Sequence, residues 1–336
     1  MPRIGPRFLG ASHLQTTVVG SYPRVSDTPE GQRLRRAIAR WERKELSDGD
    51  LRKVQVDVLQ EVVREQAGAG VDLVSDGQVT WHDPVSHFAA KLEGFEIGGL
   101  LRYFDTNTYY RQPKARGKVR WVNPITVDDW VAASSAAPSS AVKAVIIGPY
   151  TLASLSANGP THDLLWDLAV ALGNEVNTLA HSGAPRIQID EPALTRAKSL
   201  PKEYDEIVDT LLEARGRAEV TLFTCFGGVG HLLEDLEALP FDYLGLDLVQ
   251  GASTLEALRK RPLEKPVIAG LLDARNTRIE APREVAKRAL ALADSVPMDR
   301  SWLSPSNGLE FLPRTKAREK LRVLVSAAKL VREAVA

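Results

Sequence analysis

Cys225 is the only thiol in the chain, and it stands in VTLFTCFGGVG, where an apolar run gives way to glycines. A thiol in that place can ligate a metal, act as a nucleophile once deprotonated, or fill a core as a small apolar group. Carboxylates recur in comparable settings: Asp76 in VDLVSDGQ, Asp190 and Glu191 in IQIDEPAL, Asp247 in YLGLDLV and Asp273 in AGLLDAR. Such groups hold a substrate ammonium through charge-assisted hydrogen bonds, and burial can raise one of them into use as a general acid or base. Ser21, Gln78, Tyr150, Thr151, Thr224, Arg275, Ser304, Ser306 and Asn307 add hydroxyls, amides and one guanidinium in the same kind of position. An Asp after a strand also commonly caps the next helix, so each residue alone is ambiguous. Neighbours in a strand face opposite sides; Asp190 continues the alternation from Gln188 and is expected to be the carboxylate of the pair that meets a ligand. His82 and His87, in WHDPVSH, are five apart, a poor spacing for joint coordination from one helix face, and read as surface or helix-start residues.

Positioning these groups falls to a recurring unit: a β-branched apolar run, a Gly, Pro, Asp or Ser, then a polar stretch of helical period. Residues 16–21, 71–77, 142–149, 186–192, 220–225, 243–249, 266–273 and 301–306 are the candidate strands. Eight such runs separated by helices predict a single α/β domain over residues 1–336, a (β/α)8 TIM barrel, with the polar residues above gathered at the C-terminal strand ends in one mouth. An open doubly wound sheet is the alternative, disfavoured because no GxGxxG follows the first strand, which also argues against a nucleotide cofactor. SDGD at 47–50 reads as a helix start, followed by Leu51, Val54, Val58 and Val62 on one face. Leu321, Leu324, Val325, Ala328 and Val331 mark the last helix. Two segments are in excess of the repeat: residues 22–70, with room for two helices, and residues 95–125, which read as a hairpin or extended cover.

Composition narrows the partners. Lys plus Arg and Asp plus Glu both number 43, so no net positive field recruits nucleic acid or an anionic membrane surface, and a small-molecule substrate is expected. One cysteine excludes an internal disulfide framework, no apolar run is long enough to span a bilayer, and MPRIGPRFLGASHLQ lacks the apolar core of a signal peptide, so a cytoplasmic protein is expected. The most biased segment, SSAAPSSA at 134–141, is short. The oligomeric state is not set by these features.

Taken in order, TTVVGSYPR, SDGQ with HFAAKLEGF, IGPYTLA, IQIDEPAL, TCFGG, DYLGLDLV, AGLLDARNTRIE and PSNGLEFLPR resemble the catalytic C-terminal half of cobalamin-independent methionine synthase, over nearly the whole chain. The resemblance implies the short form of that enzyme, a barrel without cobalamin whose mouth binds zinc, and a thiol substrate held as thiolate for attack on a methyl group. It also implies which residues correspond to the zinc ligands: Phe223, Cys225, Asp247 and Asn307. Of these, Cys225 is unchanged and Asp247 can still coordinate, whereas phenylalanine cannot and an amide is a poor zinc ligand, so the zinc site reads as degenerate. The positions that hold the amino-acid end of the substrate fall on Ser21, Gln78 and Asp190, with Gln78 in place of a glutamate. The stacking tryptophan for folate falls near Leu155, and Arg275 takes the place of a histidine.

The expectation is therefore an enzyme that transfers or removes a methyl or alkyl group at a thiol or related heteroatom, with Asp190, Cys225 and Asp76 catalytic. Ser21, Gln78, Tyr150, Thr151, Glu191, Arg275 and Asn307 would bind substrate, and Cys225 with Asp247 any metal. A genuine methionine synthase using other ligands, among them Asp76, His82 or His87, stays open. So do a lyase or decarboxylase on the same fold and a non-catalytic barrel that binds a small ligand.

Overall fold

The computed structural model describes residues 14–137 and 140–335. The N-terminal stretch read for a signal peptide thus lies, up to residue 13, outside the described residues, as does the centre of the SSAAPSSA segment. The chain forms two compact units, one of Met1–Thr80, Asp129–Lys143 and Pro266–Ala336, the other of Trp81–Asp128 and Ala144–Lys265.

In the first unit every strand pairing is parallel. Val267–Leu272 pairs with Trp302–Pro305, which pairs with Gln15–Thr16; Thr17 bridges to Leu73, and Leu73–Val74 pairs with Ala141–Val142. The last strand of the chain therefore lies beside the first. A closed barrel requires that neighbour relation, and an open doubly wound sheet keeps its first and last strands apart. Val267–Leu272 is buried at every residue, as expected of a parallel strand covered on both faces.

Two helices fill the first excess segment, Arg33–Glu42 and Asp48–Gly68. The second starts at the sequence signal: Ser47 Oγ accepts from the Asp50 N–H at 3.1 Å, and Asp48 and Asp50 add negative charge to its first turn. Leu51, Val58 and Val62 are buried as expected, joined by Leu59 and Val63, whereas Val54 is half-buried. The final helix, Arg314–Val335, buries Leu321, Leu324, Ala328 and Val331 at the anticipated spacing, with Val325 half-buried.

The second unit repeats the pattern with Ala144–Ile147, Arg186–Asp190, Glu219–Thr224 and Tyr243–Asp247, parallel in that order. Helices Pro149–Leu155, His162–His181, Tyr204–Leu212 and Ala252–Lys260 alternate with them. The second excess segment is a hairpin, Glu93–Arg102 against Tyr109–Arg120. The third predicted strand is divided at Lys143, its first part belonging to one unit and its second to the other. The fold is α/β, of the (β/α)8 barrel class, with helical and hairpin insertions. No helix among the described residues is long and apolar enough to cross a membrane.

Candidate active site

In the second unit, parallel register brings functional groups side by side. Thr224 is paired with Leu246, so Cys225 follows directly beside Asp247. Both are buried. Asp247 Oδ1 accepts from the N–H groups of Val249 and Gln250 at 3.0 and 2.9 Å, and Oδ2 accepts from the Phe226 N–H at 3.3 Å. Its carboxylate thus ties the loop after its own strand to the loop after Cys225. Thr224 Oγ1 donates to the Gly245 carbonyl at 3.1 Å. Phe223 is fully buried, and its ring occupies the space above Gly245, where a Cβ would come within 2.0 Å of it.

Asp190 and Glu191 diverge as strand alternation requires. Gln188 Nε2 donates to Asp190 Oδ1 at 2.6 Å on one side of the strand, and Asp190 is half-buried. Glu191 is fully buried and turns to the start of helix Pro149–Leu155, accepting from the N–H groups of Tyr150 at 2.8 Å and Thr151 at 2.6 Å and from the Tyr204 hydroxyl at 3.0 Å. Burial pushes its carboxyl up to about 7 against the lowering effect of those hydrogen bonds. Thr151 is also buried, its hydroxyl accepting from the Ala193 N–H at 3.1 Å, and Tyr150 lies edge-on to Tyr204 at 6.2 Å.

Beyond Cys225 the backbone is unusual. Phe226 has φ +66°, and Phe104, at the turn of the hairpin, has φ +49°. Their rings stack at 5.2 Å and 22°, Tyr103 meets Phe226 edge-on at 5.8 Å, and the Arg196 guanidinium lies 4.4 Å from the centre of the Phe104 ring. His87 stacks on Trp81 at 4.8 Å; burial, with the Lys91 charge, pushes its imidazole well below its ordinary value, while His82 is exposed. Leu155 ends its helix with its carbonyl accepting from the Tyr110 hydroxyl at 3.1 Å.

The first unit carries the remaining candidates. Asp76 is buried, with Oδ1 accepting from the Gln78 N–H at 3.0 Å across a turn in which Gly77 and Gln78 both have positive φ. Burial, followed by the nearby Asp129 carboxylate, raises the Asp76 carboxyl to about 7. Asp129 is in turn held by Arg52 at 2.5 Å and by the Thr80 hydroxyl. Ser21 donates to the Glu310 carboxylate and accepts at its carbonyl from the Leu309 N–H at 2.9 Å; a Cβ on Gly308 would come within 2.0 Å of Ser21 Oγ, so a side chain there would displace the Ser21 and Glu310 groups from each other. Asp273 Oδ1 accepts from the Arg275 N–H at 2.9 Å, and Ser306 Oγ from the Ala274 N–H at 3.2 Å. Ser304 donates to the Pro305 carbonyl. Asn307 is fully buried, and its Oδ1 has no hydrogen-bond partner among the described residues. Glu310, Asp129 and Phe104 escape a reading of the sequence alone. Glu310 could be suspected from its place three residues after Asn307, whereas Asp129 and Phe104 come near their partners only through the fold.

Zinc, which the resemblance implies, can be tested against these residues. Phe223 has no lone pair and is packed into the core, both oxygens of Asp247 are engaged by backbone N–H groups, and Asn307 offers a neutral amide. Among the described residues no group of three or more His, Cys, Asp or Glu side chains is placed to hold a metal ion.

Residues 14–330 match the catalytic domain of the cobalamin-independent synthases. A methionine synthase of Sulfurisphaera tokodaii is 34% identical over 323 residues, covering 95% of this chain and 93% of that protein. The chain belongs to the cobalamin-independent synthase family. A second relative, a methionine synthase of Saccharolobus solfataricus, is 33% identical to this synthase-family chain over 324 residues, 95% of each protein. Among solved structures, a B12-independent methionine synthase from Shewanella sp. W3-18-1 in complex with selenomethionine shares the fold at a TM-score of 0.79 and 22% identity, covering 96% of this chain and 98% of that one. By these comparisons the synthase-family chain is a methyltransferase-like enzyme.

Proposed function

We propose that this synthase-family chain moves a methyl or small alkyl group to or from the sulfur of a small amino-acid-like thiol, by a route that does not use zinc at the inherited positions. The reaction class comes from the family; the metal-free form rests on Asp76. A thiol becomes a nucleophile only on losing its proton, and a bound cation ordinarily makes that loss easy. A carboxyl raised to about 7 can take the same proton near neutrality. In the forward direction the S–H proton passes to Asp76, the sulfur lone pair forms the new S–C bond, and the bond between methyl carbon and donor heteroatom breaks with its electrons leaving on the donor. Ser21, Gln78 and Asn307, of the same unit as Asp76, supply hydrogen bonds to the polar atoms of the substrate. In the second unit, Asp190 and Cys225 are the residues that the resemblance ties to a substrate ammonium and to the reacting sulfur. Arg275 adds a further contact in the first unit, and in the second Tyr150 is the candidate for contact with a ligand, while Thr151 and Glu191 hold the loop after Ala144–Ile147.

One catalytic domain over the whole chain is supported by the family match, which runs through segments of both compact units. A cytoplasmic setting is supported by the single cysteine. The loss of imidazole at residue 223 favours one competing reading, a barrel that binds a small thiol without turning it over. The deciding experiment incubates the purified protein with homocysteine and a panel of methyl donors, with and without a strong chelator, and measures product by mass spectrometry and metal by elemental analysis. Chelator-resistant methyl transfer with zinc far below one per chain is expected. Zinc near one per chain with chelator-sensitive activity would overturn the metal-free route, and binding without turnover would favour the silent barrel.

A further inference from the structure

We infer that Phe104, at the turn of the hairpin, is a positioning residue: by stacking on Phe226 it holds the segment that follows Cys225 in its observed shape. In TCFGGVG Gly227 takes φ +157°, and the phenylalanine before it is also left-handed at φ +66°, against local steric preference. Something beyond the segment must fix it there. Turning Phe226 back to negative φ would swing either its ring off Phe104 or its N–H off Asp247 Oδ2, so the two contacts together define the conformation.

Phe104 is itself clamped. Tyr103 packs edge-on to it at 4.8 Å, and Arg196 covers it at 4.4 Å. Arg196 ends the short 3-10 helix Pro192–Arg196, directly after Asp190 and Glu191. One ring on the hairpin therefore touches both the chain leaving Cys225 and the chain leaving Asp190. Through that ring the hairpin insertion fixes the relative setting of two strand-end loops within the second unit.

The importance of that setting rests on the function proposed above, but the positioning can be read without any methyl transfer. Because Cys225 is the sole thiol, its alkylation by iodoacetamide, followed by intact mass, reports directly on this segment. Phe104→Ala is expected to speed alkylation by about tenfold or more by easing local opening, whereas Phe104→Tyr, which keeps the ring, stays within about twofold of wild type. Leu100→Ala, an exposed site on the same hairpin, should leave the rate unchanged. A wild-type rate in folded Phe104→Ala overturns the inference, as does equal acceleration by Leu100→Ala. Should Phe104→Ala not fold, Phe104→Leu, which keeps apolar bulk and removes the ring, makes the same decision. Absence of methyl transfer in the wild-type protein would sink the proposed function and leave these rates untouched.

Discussion

Asp76 illustrates how much one buried carboxyl can contribute to both chemistry and stability. Its folded value of about 7 lies above its ordinary 3.8, so the stability that comes from its neutral form is fully present below about pH 4 and is lost as pH rises through 7. Asp76→Asn keeps the shape and removes the titration. It should stabilise the protein at pH 8, by at most roughly 4 kcal/mol, and change little at pH 4, as measured by chemical denaturation at the two pH values. If Asp76 is the proton acceptor, the same variant also loses the limb near pH 7 in the profile of kcat/KM. Equal effects on stability at both pH values would mean that the carboxyl does not titrate where its surroundings place it. Much at this scale is legible in the sequence: Asp76, Asp247 and Cys225 stand out because each ends an apolar run. The rest is not, because Asp129 approaches Asp76 across 53 positions of sequence and no local pattern announces such a neighbour.

Among the elements, the strands are legible for a plain reason: residues buried on both faces leave continuous β-branched runs, and each of the eight expected runs contains a strand. The division of the third at Lys143 leaves no such mark, and residues 95–125 read equally as a hairpin or an extended cover because their aromatics and cations do not alternate cleanly. Helix Pro149–Leu155 supplies the test at this scale. It begins with a proline and has no capping side chain of its own; Glu191, from another strand, accepts its first free N–H groups instead. Glu191→Ala would bury those donors unpaired and should cost about 3 kcal/mol, whereas Glu191→Gln, which still accepts, should cost about 1 kcal/mol. Thermal melting of the two variants would show the difference, and a mild Glu191→Ala would mean that water satisfies the helix start. The left-handed conformations of Phe104 and Phe226, at roughly 1–3 kcal/mol each, are similarly offset from outside the local chain, by stacking, the Arg196 contact and the bond to Asp247.

At the level of the whole molecule, equal numbers of acidic and basic residues leave no net field to draw a charged substrate from a distance. Raising ionic strength from about 0.05 to 0.5 M should therefore alter kcat/KM for a zwitterionic thiol by less than about twofold, since recognition acts only at contact range. A steep fall with salt in stopped-flow binding would point instead to an anionic donor steered by a local basic surface. The contact between Phe223 and Gly245 couples two neighbouring strands. A smaller ring placed at residue 223 would leave a void where the phenyl ring rests, and any side chain grown on residue 245 to fill that void collides with the ring until the ring has gone. Neither step is harmless alone, so residues 223 and 245 are bound to change together, and whatever occupies this part of the second unit has to be remodelled at two neighbouring strands at once.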